Sequence, residues 1–295
     1  MSTDPATVFS LDRRAVAQAF DRASASYDAA AALQVRVRDE LLERLAELKA
    51  APLRILDLGA GTGHASRALK RRYPKSLVIA ADIAAGMLAR AKSQSRWLRR
   101  FERVRADAYS LPFRDGCFDL VFSSLMLQWC DDLDAVFSEA ARVLKPGGML
   151  LFSTFGPGTL AELREAWGAS DAPGNHVNHF FDPHALGSAL MHAGLSEPVL
   201  DVDRVVIDYP DVLTLMRELK AIGAHNVTRG RARGLTGRKR LAAMTRAYET
   251  KRRGGQLPAT YEVIHAICWG AERRAQGFPG EALISPGSIR RRGQT

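Results

Sequence analysis

The sequence predicts an α/β fold, a parallel sheet with helices on both faces. Three observations carry that expectation. Short apolar runs alternate with helix-periodic segments from residue 54 to 155. A glycine-rich turn follows the first run. Finally, 46% apolar and 25% charged residues over 295 positions are the mix of a chain with a full core.

The first fifty residues read as helix, with Leu41, Leu42, Leu45 and Leu48 at helical spacing. Strand RILDL leads through GAGTG into a helix that stops before Pro74. SLVIAADI is a second strand and AAGMLARAKSQSRWLRR a second helix. ERVRADAYSLPF reads as a third strand and FDLVFSSLMLQW as a fourth. LDAVFSEAARVL is a helix closed by Lys145-Pro146-Gly147-Gly148, and MLLFSTF is the fifth strand. Helices at 159–167 and 183–193 precede a strand at 199–207. Helical stretches at 211–225 and 237–253 precede a last strand, TYEVIHAICW. The expected organisation is an N-terminal helical lid over 1–50, a main domain over 51–270 with a helical insertion at 211–253, and a frayed tail from 271.

Composition narrows the function. No run approaches the ~20 apolar residues of a membrane span, and the opening residues carry Asp4, Asp12, Arg13 and Arg14 where a secretion signal needs an apolar core. Cys117, Cys130 and Cys268 are scattered and not at metal-ligand spacing, which fits a cytoplasmic protein. The net charge of +10 points to an acidic partner, and much of the excess lies between Arg229 and Arg253. A nucleic-acid partner is disfavoured, because Tyr248 is the only aromatic in that run. A membrane partner is not expected either.

In parallel sheets of this kind ligands bind at the carboxyl ends of the strands. That rim holds the turn Asp57-Leu58-Gly59-Ala60-Gly61-Thr62-Gly63, then Asp82, Asp107 and Ser123-Ser124. A dinucleotide turn would place its third small residue at position 64, which is His64, so that reading is weakened. Asp82 could accept from ribose hydroxyls, with a helix cap as the alternative, and Asp107 could accept from an exocyclic amine, with a turn residue as the alternative. His176, His179 and His184 lie in a loop without metal-ligand spacing, and no metal is expected.

Glycine turn, Asp82, Asp107 and the FDLVFSS strand in this order resemble the class I S-adenosylmethionine-dependent methyltransferases. The resemblance implies a Rossmann-like, seven-stranded, mostly parallel sheet whose last strand is antiparallel. It implies S-adenosylmethionine as methyl donor, held by Gly59, Ala60, Gly61, Gly63, Asp82, Ile83, Asp107, Ala108 and Ser123. The N/D-P-P-Y/F motif of nucleic-acid amino methyltransferases is absent; residues 123–129 read SSLMLQW.

Longer stretches, FDRASASYDAAAALQ, FSTFGPGTLAELREAW, LMRELKAIGAHNVTRGRARGLTGR and LPATYEVIHAICW, resemble the malonyl-[acyl-carrier-protein] O-methyltransferases of biotin synthesis from about Arg13 to Trp269. That family implies methyl transfer to the free carboxylate of a malonyl thioester on an acidic carrier protein or on coenzyme A. It places Tyr27 at the active site. Gln34 is a second lid candidate, Lys220 and His225 are candidates for the substrate side, and Arg231, Arg233 and Arg238 for the carrier face. An arginine is expected to pair with the malonyl carboxylate. The rivals are methyltransferase-like assembly factors that hydroxylate a protein arginine, enzymes that methylate a small free dicarboxylate, and a non-enzymatic RNA-binding module.

Overall fold

The computed structural model describes residues 11–95, 97–170, 177–224 and 237–271. Among the described residues the N-terminal stretch holds three helices, not one: α1 (Arg13–Ala23), α2 (Tyr27–Ala30) and α3 (Ala32–Glu47). The first break falls where serine hydroxyls compete for the backbone, and the second is at Ala31, whose ψ of 34° leaves the helical range. Ser24 Oγ donates to the Asp21 carbonyl, and Ser26 Oγ donates to the carbonyls of Ala23 and Ala221. Asp12 caps α1 by accepting from the amides of Arg14 and Ala15.

The strand–helix alternation follows as β1 (Arg54–Leu58), α4 (His64–Arg72), β2 (Leu77–Asp82), α5 (Ala85–Gln94), β3 (Glu102–Arg105) and β4 (Phe118–Ser124). Then come α6 (Leu133–Val143), β5 (Leu144–Phe155), α7 (Ala161–Gly168), α8 (Pro183–His192), β6 (Leu195–Tyr209), α9 (Val212–Ala221), α10 (Arg238–Glu249) and β7 (Leu257–Gly270). Several boundaries differ from the sequence reading: β3 ends at Arg105, and β6 and β7 extend beyond the runs read for them. α5 stops at Gln94 instead of running to residue 100, because Ser95 Oγ bonds both the N–H and the carbonyl of Phe101. The fourth strand ends at Ser124, and Leu127–Trp129 is a single 3₁₀ turn. β5 begins at Leu144, since Leu144 already pairs with Phe118 across a register shift.

The strands form one seven-stranded sheet in the order β3-β2-β1-β4-β5-β7-β6. Pairings are parallel from β3 through β5, and β7 runs antiparallel to both β5 and β6. The switch point lies between β1 and β4, where the connections leave in opposite directions and open a crevice beyond Leu58 and Ser124. The core is dense on both faces: Ile55, Leu56, Val121, Phe122 and Phe152 are fully buried. Leu41 and Leu45 of α3 pack on the same core, while Leu48 is exposed. Although β6 and β7 pair directly, the segment between them carries α9 and α10.

Candidate active site

A cavity opens at the switch point, with about 770 Å³ of empty space that includes its open mouth. Its floor is the glycine turn: Gly59 and Gly61 line it, together with Asp82, Ile83, Asp107 and Ala108. Gly61 takes φ +53°, and a Cβ there would meet nothing within 4 Å, so the glycine leaves open space on the cavity side. Gly63 has another task. At φ +84° it starts α4, and a Cβ would press on Ala91 at 2.8 Å, so it lets α4 and α5 pack closely. Gly63 and Ala60 do not line the cavity.

Asp82 joins the two halves of the floor. Its Oδ2 accepts from the Gly61 N–H and its Oδ1 from the Ala84 N–H, both at 2.8 Å. Burial pushes its carboxyl above the ordinary value, and those amide bonds pull the other way. Asp57, two residues before the turn, is buried outside the cavity and accepts from Ser66 Oγ. Burial raises its carboxyl to about 7.

At the other end Asp107 Oδ1 accepts from the Tyr109 N–H at 3.1 Å, and Oδ2 accepts from Arg13 at 3.0 Å. The Arg13 guanidinium also lies 4.7 Å over the Tyr109 ring. Thus α1 folds across the cavity, with Arg13, Val16 and Phe20 in its wall. Further contacts fasten this cover: the Gly86 N–H donates to Asp21 Oδ1 at 2.7 Å, and Thr62 Oγ1 donates to Asp28 at 2.6 Å.

Ser123 lies outside the cavity and is buried, its Oγ donating to the Leu58 carbonyl at 2.8 Å. Strand alternation gives the cavity position to Ser124.

A second chamber, with about 880 Å³ of empty space, adjoins the first. Phe20, Tyr27, Leu125 and Trp129 line both. Phe20 bridges the two other rings, 5.1 Å edge-on to Trp129 and 6.5 Å from Tyr27. Leu125 is held at φ +51° in the partition, and Leu160 of the second chamber at φ +52°. Side chains without glycine's freedom in that region mark a backbone constrained by its surroundings. The Tyr27 hydroxyl is pushed above the ordinary phenol value by burial, then by the Asp82 and Asp28 carboxylates, and stays protonated at neutral pH.

The second chamber is apolar on most sides, with Leu33, Phe155, Leu163 and Phe180 among its walls. Gln34, Asn178 and Glu218 add polar groups. Lys220 is exposed and does not line it, because successive helical residues turn by ~100° and α9 presents Glu218, Leu219 and Ile222 instead. Among the described residues the chamber has no arginine or lysine in its lining. Arg238 is exposed at the start of α10. His225, Arg231 and Arg233 lie outside the described residues.

Elsewhere, Glu40, Asp203 and His265 bring ligand-type atoms within 4.8 Å of one another. Arg44 enters the same cluster, 2.9 Å from Asp203 and 2.7 Å from Asp201, and supplies a positive charge there. Among the described residues no helix is long and apolar enough to cross a membrane.

Sheet order, switch-point cavity and an acidic residue ending β2 together define a class I methyltransferase. Residues 56–152 match a family model described as "Methyltransferase domain". The fold is shared with the YcgJ protein from Bacillus subtilis at TM-score 0.57, 18% identity and coverage of 79% of this chain and 98% of that one. The Methylovorus sp. malonyl-[acyl-carrier protein] O-methyltransferase is 50% identical, over 91% of this chain and 93% of its own length. A protein of the same name from Gallionella capsiferriformans is 46% identical over 94% and 97%. The chain belongs to the malonyl-[acyl-carrier protein] O-methyltransferase family.

Sequence reasoning missed Arg13, Phe20, Tyr109, Met126 and Trp129 of the first cavity and Asn178 of the second. Tyr109 and Trp129 carried the available signal, an aromatic shortly past a strand's carboxyl end.

Proposed function

We infer that this protein transfers a methyl group from S-adenosylmethionine to the free carboxylate of a malonyl thioester borne by an acyl carrier protein. The observation that carries the reading is the pair of adjoining chambers, which share Tyr27 and Trp129 as their common wall. One chamber has the lining a nucleoside donor needs; the other is a largely apolar space for an acyl acceptor. The names of relatives at 46–50% identity over nearly the whole chain support the same reaction.

The residues present fit the donor. Gly61 leaves room where a side chain would intrude, and each Asp82 oxygen, already holding one backbone N–H, retains a lone pair for a ribose hydroxyl. Asp107 and Ala108 stand at the adenine end, under Arg13. Once bound, the donor supplies an electrophilic methyl group on a sulfonium.

A malonyl carboxylate is ionised at neutral pH and is itself the nucleophile, so the reaction needs alignment and exclusion of water and no general base. α1 and α2 supply the exclusion. Tyr27, protonated and placed between the chambers, orients the carboxylate by donating a hydrogen bond to the oxygen that does not attack. The product is a neutral methyl ester.

The carrier docks at a basic face that includes the exposed Arg238, Lys239 and Arg240 of α10, with Arg231 and Arg233 as further candidates from the sequence alone. Lys220, exposed at the end of α9, is a further candidate for contact with the carrier. Acyl carriers are acidic, and opposite charge raises the encounter rate and sets orientation. The three cysteines are free, in keeping with a reducing cytoplasm.

The test uses donor labelled in the methyl group with malonyl-carrier protein as acceptor. Label that mild alkali releases as methanol supports a methyl ester; label on the carrier that resists alkali overturns the carboxylate assignment.

A further inference from the structure

We propose that Asn178 recognises the arm that carries the acyl group, its Oδ1 accepting a secondary-amide N–H inside the second chamber. The proposal rests on the thioester reading above and extends it to the substrate beyond its carboxylate.

Three other polar residues of the chamber, Gln128, Thr159 and Glu218, already have partners. Gln128 donates to the Leu125 carbonyl and accepts from Thr154 Oγ1. Thr159 Oγ1 donates to the Glu262 carbonyl and accepts from the Glu262 N–H, both at 3.1 Å. Glu218 accepts from the Tyr209 hydroxyl at 2.9 Å. Asn178 stands apart: its Oδ1 is buried and has no hydrogen-bond partner. A buried amide carbonyl left unpaired costs about as much as a lost hydrogen bond, and such a group at a chamber wall calls for a donor from the ligand.

The chemistry of the acceptor decides which part of it can answer. A malonyl carboxylate and a thioester carbonyl bring only acceptor atoms, so Oδ1 gains nothing from them. The pantetheine arm that links acyl group to carrier contains secondary amides, each with one N–H. Val177 and Phe180 flank Asn178 and are buried in the same wall, which fixes the backbone that presents the carboxamide. Free malonate has no such donor, so this contact selects an arm-borne malonyl group over the free diacid.

The test compares malonyl thioesters of N-acetylcysteamine, which has one amide N–H, and of butanethiol, which has none. The quantity read is the ratio of kcat/KM for the two in wild type, Asn178→Leu and Asn178→Asp. Using the ratio cancels a general effect of added charge or altered packing. Wild type should favour the amide-bearing thioester by about three- to tenfold, the worth of one hydrogen bond. Asn178→Leu should abolish that preference, and Asn178→Asp, which keeps an acceptor oxygen, should retain it. Donor affinity measured by calorimetry should be unchanged in both variants, reporting that they fold. A preference that survives in Asn178→Leu, or disappears in Asn178→Asp, overturns the proposal. A wild-type enzyme that turns over both thioesters with no preference also overturns it. No turnover of either thioester by wild type instead overturns the underlying reading, and the proposal with it.

Discussion

The Asp82 carboxylate accepts the Gly61 N–H at 2.8 Å, so the acidic residue ending β2 also holds the glycine turn in place. With Asp82 as the proposed ribose acceptor, loss of this one side chain should affect the donor twice, through that contact and through the floor. Asp82→Ala should weaken S-adenosylmethionine binding by about 10- to 100-fold, as expected for hydrogen bonds to a charged group. Calorimetric titration checks this. Unchanged donor affinity in a folded variant would falsify the assignment of Asp82.

Tyr27 separates position from chemistry. Tyr27→Phe keeps the ring between the chambers and loses one hydrogen bond to an ionised carboxylate, so kcat/KM should fall by about 10- to 100-fold. Tyr27→Ala opens the partition and disturbs alignment that can supply ~7–11 kcal/mol toward a bimolecular transfer, so its loss should be much larger, with weaker donor binding. The hydroxyl lies above the ordinary phenol value, so it should add no basic limb to the rate at neutral pH. Steady-state kinetics with calorimetry decide the matter. Equal damage by Phe and Ala, with normal donor binding in both, would give the hydroxyl a direct chemical role.

How far the site was legible follows from where each residue gets its geometry. Asp82 and Asp107 could be placed because they end β2 and follow β3, and strand ends in a parallel sheet share one rim. Ser123 was misplaced by one position because FDLVFSS is buried on both faces, so no alternation of hydrophobicity shows which serine faces the ligand. Arg13 and Phe20 were illegible as site residues because they reach the cavity through α1, whose docking depends on distant partners such as Gly86 with Asp21. Asn178 had no motif at all. Its distinction is an unpaired carbonyl oxygen, a property of the packed chain. The succession of seven strands was legible because turns and strand runs are local features. Their order in the sheet is a finding of the structure, and the antiparallel last strand was expected only from the family resemblance.

The basic start of α10 should matter to the carrier and much less to coenzyme A. Reversing Arg238 and Arg240 to Glu should raise KM for malonyl-carrier protein by about tenfold or more, because like charge at a docking face costs encounter rate and orientation. KM for malonyl-coenzyme A should change less, as it lacks an acidic protein surface. Added salt should reproduce the loss in wild type, since exposed charges are screened beyond ~8 Å at physiological ionic strength. Equal losses on both substrates would contradict a role for these arginines at a carrier-docking face.

His265 sets an acid limit on stability. It is buried in β7, facing Glu40 of α3 and Asp203 of β6, each at 3.7 Å, with Arg44 and Asp201 beside them. Burial, followed by the Arg44 guanidinium, holds the imidazole below its ordinary value, against the pull of Asp203, Glu40 and Asp201. The unfolded chain binds the proton near pH 6.5, before the native state does. Stability from this group is therefore complete above that pH and is lost as pH falls toward the native value. The loss can reach at most about 1.4 kcal/mol per pH unit. His265→Leu should flatten the acid limb of Tm between pH 7 and 5 relative to wild type, on the order of one proton's worth. Identical acid limbs in the two proteins would contradict this.

The most direct test of methyl transfer to a malonyl carboxylate is intact mass spectrometry of two acyl-carrier proteins. Malonyl-carrier and acetyl-carrier protein are each incubated with S-adenosylmethionine and the purified enzyme. They differ in the terminal carboxylate alone. The account predicts that the malonyl species gains the mass of one methyl group and the acetyl species gains nothing. No gain on the malonyl species, or an equal gain on both, would contradict it.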